Sequence, residues 1–365
     1  MPSELSKLFR QNPNRNWNMH RLSANPNITM EDVLLDQSKR WDWDELSVNP
    51  GITMKDLNNH PEKPWDSYGL SCNCNVKIQD VLAHPDRQWS WFCLSTNPGI
   101  TMKDVDDHPE IDWDWSGLSQ NPNITIKDIN DHPDRPWNWI SISANRNLTM
   151  SDIIASPHRN WSWFNLTLNP NITMKNIYEH PEKPWDYSWL TKNSSITLND
   201  VSNYPFSWDW HYLSMNVNIE EGDIDNHLNN WRWSGLSMNP NITMKDVLKY
   251  PTKPWDWDFL SCNPGITIKD ILANPNKQWN WEYVSRNPNL TFDHVLSNPD
   301  KSWDYKAMSC NEFKLSRALR RSALKRIKNA KAYFRIRSYN KVRLLFYSKI
   351  RLYNDMINLI MFYIL

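Results

Sequence analysis

Apolar positions along the chain recur with a period of 24 residues, and the strongest of them is tryptophan. It stands at Trp17, Trp41, Trp65, Trp89, Trp113, Trp137, Trp161, Trp185, Trp208, Trp231, Trp255, Trp279 and Trp303, with two intervals one residue short. A strict period in this range marks a solenoid, because a unit of that size cannot bury its own apolar face and needs a neighbour on each side. With that tryptophan as offset zero, a second recurs at offset two (Trp43, Trp91, Trp115, Trp139, Trp163, Trp210, Trp233, Trp257, Trp281), so 22 of the 23 tryptophans fall in two columns and Trp189 alone stands outside them. An apolar column at offset five, exemplified by Leu22, Leu46, Leu118, Ile142, Val284 and Met308, completes a stretch that predicts one short helix from offset zero to five. Asn-Pro then ends it, since a residue before proline is pushed out of the helical region.

A second helix is predicted by apolar residues at offsets eleven, thirteen and sixteen, as in Ile124, Ile126 and Ile129. It opens with Thr at offset twelve and Asp at offset fifteen, the spacing of a capping box with Asp in place of the usual Glu. A proline at offset twenty (Pro61, Pro109, Pro133, Pro181, Pro251) ends it. Two short helices per unit and no alternating strand pattern give an all-α fold, an α-solenoid or superhelix of short helix pairs. Residues 1–16 form a partial unit, with Ser3 to Asn12 as a second helix covering the first exposed face; residues 17–312 form an array of about twelve to thirteen units; residues 313–365 form a basic, aromatic helical tail. At roughly 8 to 10 Å per unit, an elongated particle with a contour near 100 Å is expected.

The asparagine at offset eight is present in all thirteen units: Asn25, Asn49, Asn73, Asn97, Asn121, Asn145, Asn169, Asn193, Asn216, Asn239, Asn263, Asn287 and Asn311. An amide carries donors and acceptors, so a stacked column of them can satisfy the turn backbone of its own unit and of the next. This predicts an inward-pointing asparagine ladder; a ligand-binding column is the functional alternative. The variable offsets one, three, four, seven and fourteen are left to form the faces that meet partners.

Composition removes several function classes. With 24 Pro and 23 Trp against 7 Gly, nucleotide-binding glycine motifs are absent. The Asp column, spaced at helix-packing distance, is too far apart to share a metal or a proton, and the histidines at one offset (His60, His84, His108, His132, His180, His227) are expected to complement a helix end. No catalytic, cofactor-binding or metal-binding set emerges, and no small-molecule substrate is evident, so the chain reads as non-enzymatic. Of the five cysteines, Cys72, Cys262 and Cys310 share offset seven and are expected to line the core; with no Cys-x-x-Cys, a reducing compartment is implied. Residues 1–10 lack an apolar signal region and Met356 to Leu365 spans only about ten residues where a membrane helix needs roughly 20, so an intracellular, non-membrane protein is expected.

The phrases Asn-Pro-Asn-Ile-Thr-Met-Lys-Asp-Val, His-Pro-Glu-Lys-Pro-Trp-Asp and Lys-Pro-Trp-Asp-Trp resemble the expanded, uncharacterised repeat proteins of giant amoeba-infecting (mimivirus-like) viruses, over residues 17 to about 312. That resemblance implies host cytoplasm or the virion as location and brings no catalytic residues. The string from Val284 to Asp300 is also similar to the 24-residue leucine-rich repeat variant, with its Asn-Pro-Asn turn, capping Thr and following Val-Leu. That likeness implies a right-handed superhelix of paired short helices; the Trp-x-Trp start departs from it.

Net charge is zero, yet 14 of the 41 basic residues lie between Lys314 and Arg351, leaving 27 basic against 40 acidic residues before Lys314. The function expected is a protein-interaction scaffold for partners the sequence does not name. The alternative is a structural virion or assembly-factory component that tethers nucleic acid through residues 314–351, with Arg317, Arg320, Arg321, Lys325, Arg326, Arg335 and Arg337 as candidate phosphate contacts. For the tail itself three structures compete: a capping helix, a nucleic-acid arm and a membrane-surface helix.

Overall fold

The computed structural model describes residues 4–204, 206–216, 218 and 222–313, and among them every regular element is helical, twenty-six short helices from Glu4–Gln11 to Tyr305–Met308. The chain divides into two units between Phe313 and Lys314. Ser3 and the tail residues Arg317, Arg320, Arg321, Lys325, Arg326, Arg335 and Arg337 lie outside the described residues.

The unit that starts at Trp41 shows why each element forms. Asp42 is the N-cap, in extended conformation, its carboxylate accepting from the Glu45 amide, and the first helix runs Trp43–Val48. It stops at Asn49, whose φ of −62° and ψ of 122° are what the following Pro50 demands. The second helix, Met54–Asn59, opens on a capping box: the Asp56 carboxylate accepts from the Thr53 amide at 2.9 Å and from its hydroxyl at 2.7 Å. The first helix therefore begins at offset two, not at offset zero. The leading tryptophan precedes the cap, buries its ring, and sends its indole N–H back to the end of the preceding second helix, as Trp41 does to the Asp36 carbonyl at 3.0 Å. Offset one, expected among the partner-facing positions, is this cap. Apart from Arg232, its variation runs among short side chains with an acceptor oxygen, such as Asn18, Asp66, Ser90, Asp114 and Ser162.

Neighbouring units pack first helix against first helix, closely enough that a Cβ on Gly117 would come within 2.8 Å of the Ser95 Cβ. The second helices fan apart behind them. This difference in spacing curves the array with the first helices inside, and the curvature closes. Asn25 donates to the carbonyls of Ser309 and Asn311, both at 3.0 Å. One unit further on, Asn49 donates in the same register to those of Ser23 and Asn25 at 2.7 and 2.9 Å. The Asn18 amide donates to the Ser309 hydroxyl as the Asp42 amide does to Ser23. The Asn27 side chain reaches the Glu312 carbonyl as Asn75 reaches that of Pro50.

The seam thus repeats the ordinary interface, and the expected elongated particle is corrected to a closed ring of thirteen units. The N-terminal helix Glu4–Gln11 does not cap an open end. It is the second helix of the thirteenth unit, whose first helix is Tyr305–Met308, and it packs beside the second helix Phe292–Ser297. Leu5, Leu8 and Phe9 are buried there, Arg10 reaches the buried Asp32 carboxylate at 2.7 Å, and Phe313 joins the core. The periodicity specified how units stack; curvature is a sum of small rotations per unit that no single residue encodes.

Candidate functional site: the lumen of the ring

The polar columns are engaged in the stacking itself. Asn121 donates to the carbonyls of Ser95 (2.9 Å), Asn97 (2.9 Å) and Ile100 (3.1 Å), and its oxygen accepts from the Asn123 amide at 2.9 Å. Both amide hydrogens and the carbonyl are committed, which leaves nothing to offer a ligand. A second column went unnoticed in the sequence: offset six is Ser or Thr in every unit, buried in all of them. Ser119 donates to the Trp115 carbonyl at 2.7 Å and accepts from the Asn138 amide of the next unit at 2.9 Å. Its uniformity was as plain as that of the asparagines and was the available signal.

The tryptophans pair between units. Each offset-two ring meets the next offset-zero ring edge to face, as Trp115 does Trp137 at 4.9 Å and Trp233 does Trp255 at 4.8 Å. A cation from offset 22 often covers the outer ring, as Arg135 does Trp115 at 5.0 Å and Lys253 does Trp233 at 5.2 Å. The seam keeps the rule with Tyr305 in the tryptophan's place: Trp17 packs on it at 5.2 Å and Arg15 lies over it at 5.2 Å.

The Asp column serves the capping boxes. Of the histidines, expected to complement a helix end, His84 and His132 do so through Nδ1, 2.9 Å from the Asp80 carbonyl and 2.8 Å from that of Asp128, and they also bridge units: His84 Nε2 lies 2.9 Å from Asn58 Oδ1 and His132 Nε2 lies 3.0 Å from Asp106 Oδ1. Among the described residues no three His, Cys, Asp or Glu side chains are grouped to hold a metal ion. Cys72, Cys262 and Cys310 do not line the core but sit half-buried on the lumen side. Burial and the neighbouring Cys93 thiol push Cys72 up to about 12, and burial raises Cys262, so neither presents a thiolate nucleophile at neutral pH. A hollow of about 330 Å³ near Trp41 and Trp43 has its lysines occupied, Lys39 by the Pro13 carbonyl and Lys63 by Gln37.

What remains open is the lumen face, offsets three and seven of each first helix, with offset four wherever it is not buried, as it is at Gly69, Cys93, Gly117, Gly235 and Ala307. It carries half of the exposed large apolar side chains: Val48, Tyr68, Phe92, Ile140 (64 % exposed), Phe164, Trp189 and Met238. From the Trp65 unit to the Trp231 unit these offsets hold no carboxylate, and their one permanent charge is Lys192. The other five units carry Asp258, Glu282, Arg286, Lys306, Arg21, Asp44 and Glu45 at the same offsets. Several of these are paired, Arg286 with Glu282 and His20 with Asp42 and Glu45. The lumen is therefore two-sided, one arc apolar and one arc charged.

On the apolar arc the tryptophan outside the columns finds its place. Trp189 meets Phe164 edge to face at 5.4 Å. The Lys192 ammonium lies between two rings, 3.7 Å from the centroid of Trp189 and 3.9 Å from that of Tyr212. This cluster lies across the two adjacent units that are one residue short, where the repeat is most altered.

These features define a class, the closed α-solenoid with a lumen lined by first helices. No protein-family description, no curated protein and no solved structure matches the chain. Among the described residues no helix is long and apolar enough to cross a membrane.

Proposed function

We propose that the ring is a non-enzymatic interaction scaffold whose lumen receives a segment of a partner protein, consistent with the resemblance to giant-virus repeat proteins and an intracellular setting. The observation that carries this reading is the series of exposed apolar side chains from Tyr68 to Met238, interrupted in the Trp113 unit by Ser116, Gly117 and Gln120. Apolar surface that a fold keeps in water, rich in aromatic residues and Met, is what interfaces are made of. Thirteen units at roughly 8 to 10 Å leave an opening on the order of 25 Å inside the first helices, wide enough for a helix of about 10 to 12 Å or an extended chain.

The test compares partner recovery from infected or native-source cells by three chains. Proteins retained by the native chain and by Lys127→Glu on an outer helix, but lost with Ile140→Glu, support the lumen as the binding face. An identical set recovered by all three overturns it.

A second reading is favoured by the charge split between the array and residues 314–351, which suits a nucleic-acid tether. It concerns residues outside the described part of the chain and stands on their composition alone.

A further inference from the structure

We propose that the apolar arc is built for a polypeptide segment in which a carboxylate is flanked by apolar side chains, the carboxylate seating on Lys192. This rests on the reading of the lumen as the binding face and adds the chemistry of what binds.

The ammonium of Lys192 is held by the faces of Trp189 and Tyr212, which engage two sides of the cation by their quadrupoles. Among the described residues it has no carboxylate within ion-pair distance, and for eight consecutive units none stands at a lumen offset. In the same ring Arg286, His20 and Lys249 each have an acidic partner. Lys192 is thus a fixed cation, fastened by aromatic rings and lacking a counter-charge, in the middle of an apolar surface.

That arrangement discriminates between occupants. An entirely apolar segment laid over it would bury an unpaired ammonium, which is costly. A basic segment would be repelled. A segment with one Asp or Glu forms a charge-assisted N–H···O bond in surroundings that exclude water, where such bonds are strongest. Its flanking apolar side chains then meet Phe164 and Ile140 on one side and Met215 and Met238 on the other. Methionine and aromatic side chains are the surfaces that adapt to and anchor such segments.

The experiment selects peptides from a phage-displayed random 12-residue library on the full chain and measures the affinity of synthetic copies by fluorescence anisotropy. The expected sequences carry Asp or Glu between Leu, Ile, Phe, Trp or Met. Their binding should weaken about tenfold or more with Lys192→Met, the worth of one charge-assisted bond. It should be lost with Lys192→Glu and be regained there by a peptide whose acid is replaced by Lys. Ile140→Glu should weaken it and Lys127→Glu should not, with helical content and melting unchanged in all four variants. Peptides that depend on Ile140 but lack an acid, or are indifferent to Lys192→Met, overturn the proposal and leave the lumen reading intact. Peptides indifferent to Ile140→Glu and Phe164→Glu, or no enrichment at all, overturn both.

Discussion

Asn25 donates its side-chain amide to the Ser309 carbonyl at 3.0 Å across 284 positions of chain. The same pair of columns meets in most other units across 25 or 26 positions, as Asn121 meets Ser95 and Asn239 meets Ser214. One interface geometry thus serves both neighbours in sequence and the two ends of the array. The consequence is energetic: an open solenoid exposes an apolar face at each end, whereas the ring has none, because the composite unit supplies Leu5, Leu8 and Phe9 where they are needed.

Closure makes a distance prediction. Donor and acceptor dyes at His20→Cys and Lys306→Cys, lumen positions in the first and last units, should transfer energy as strongly as dyes at His20→Cys and Asp44→Cys, one unit apart. The five native cysteines are replaced in this background. Transfer near zero would return the elongated particle. Leu8→Ala in the composite unit should cost about 2–5 kcal/mol, the usual penalty for an unfilled core site, and raise amide exchange first in the helices next to the seam.

The two polar columns make a stability prediction. Asn121→Ala removes a group holding three carbonyls and one amide, and should cost on the order of 1–3 kcal/mol in chemical denaturation. Ser119→Ala, which orphans the Asn138 amide, should cost a similar amount, while the exposed Gln120→Ala should change little. Equal tolerance at all three positions would remove both columns from the account of stacking.

The sequence announced the unit more clearly than the assembly. Periodic Trp, Asn-Pro and Thr-x-x-Asp each have one local consequence, a buried ring, a helix stop and a helix start, and each lies where its chemistry placed it. The helix start was displaced by two residues because Trp17 and its equivalents share the apolar signature of the helix without belonging to it. Closure was illegible for a different reason: Tyr305, Arg15 and Asn27 look like ordinary members of their columns, and only the angle between units decides whether those columns meet. The lumen cluster was half visible. Trp189 stood out as the tryptophan outside the columns, but nothing in sequence joins it to Tyr212, because offset four of one helix and of the next become neighbours only through curvature.

One capping box carries a pH dependence. In the second helix Phe292–Ser297 the third position is His294, whose Nδ1 accepts from the Thr291 amide at 3.1 Å, a role open only to the neutral ring. Burial lowers its pKa below the ordinary value of 6.5. The folded state therefore favours neutral imidazole, and the stability contributed is present above pH 6.5 and lost as pH falls below it toward the folded value. The melting temperature of the native chain should drop between pH 7 and pH 5. His294→Asp, which restores the box used by most other units, should reduce that drop by removing one titrating group. An unchanged profile in that variant would place the sensitivity elsewhere, with His20, raised by its hydrogen bond to Asp42, as the opposite case.

The tail separates scaffold from tether. The expected capping role loses its purpose in the array itself, because the last first helix is already covered: Trp17 packs on Tyr305 and Asn25 on Ser309 and Asn311. If residues 314–351 bind phosphates, the full chain should retain DNA or RNA at low salt, and the logarithm of its affinity should fall linearly with that of salt concentration, by a slope near −0.9 per phosphate neutralised on duplex DNA. Arg320→Glu, Arg321→Glu and Lys325→Glu together should remove about three such contacts, which flattens the slope by about 2.7. Melting of the array should stay as it was, and so should any peptide binding in the lumen. Failure of the native chain to bind either nucleic acid at low ionic strength eliminates the tether. A slope the triple variant leaves untouched moves the phosphate contacts to other basic residues, such as Arg335 and Arg337 or the lysines of the outer helices.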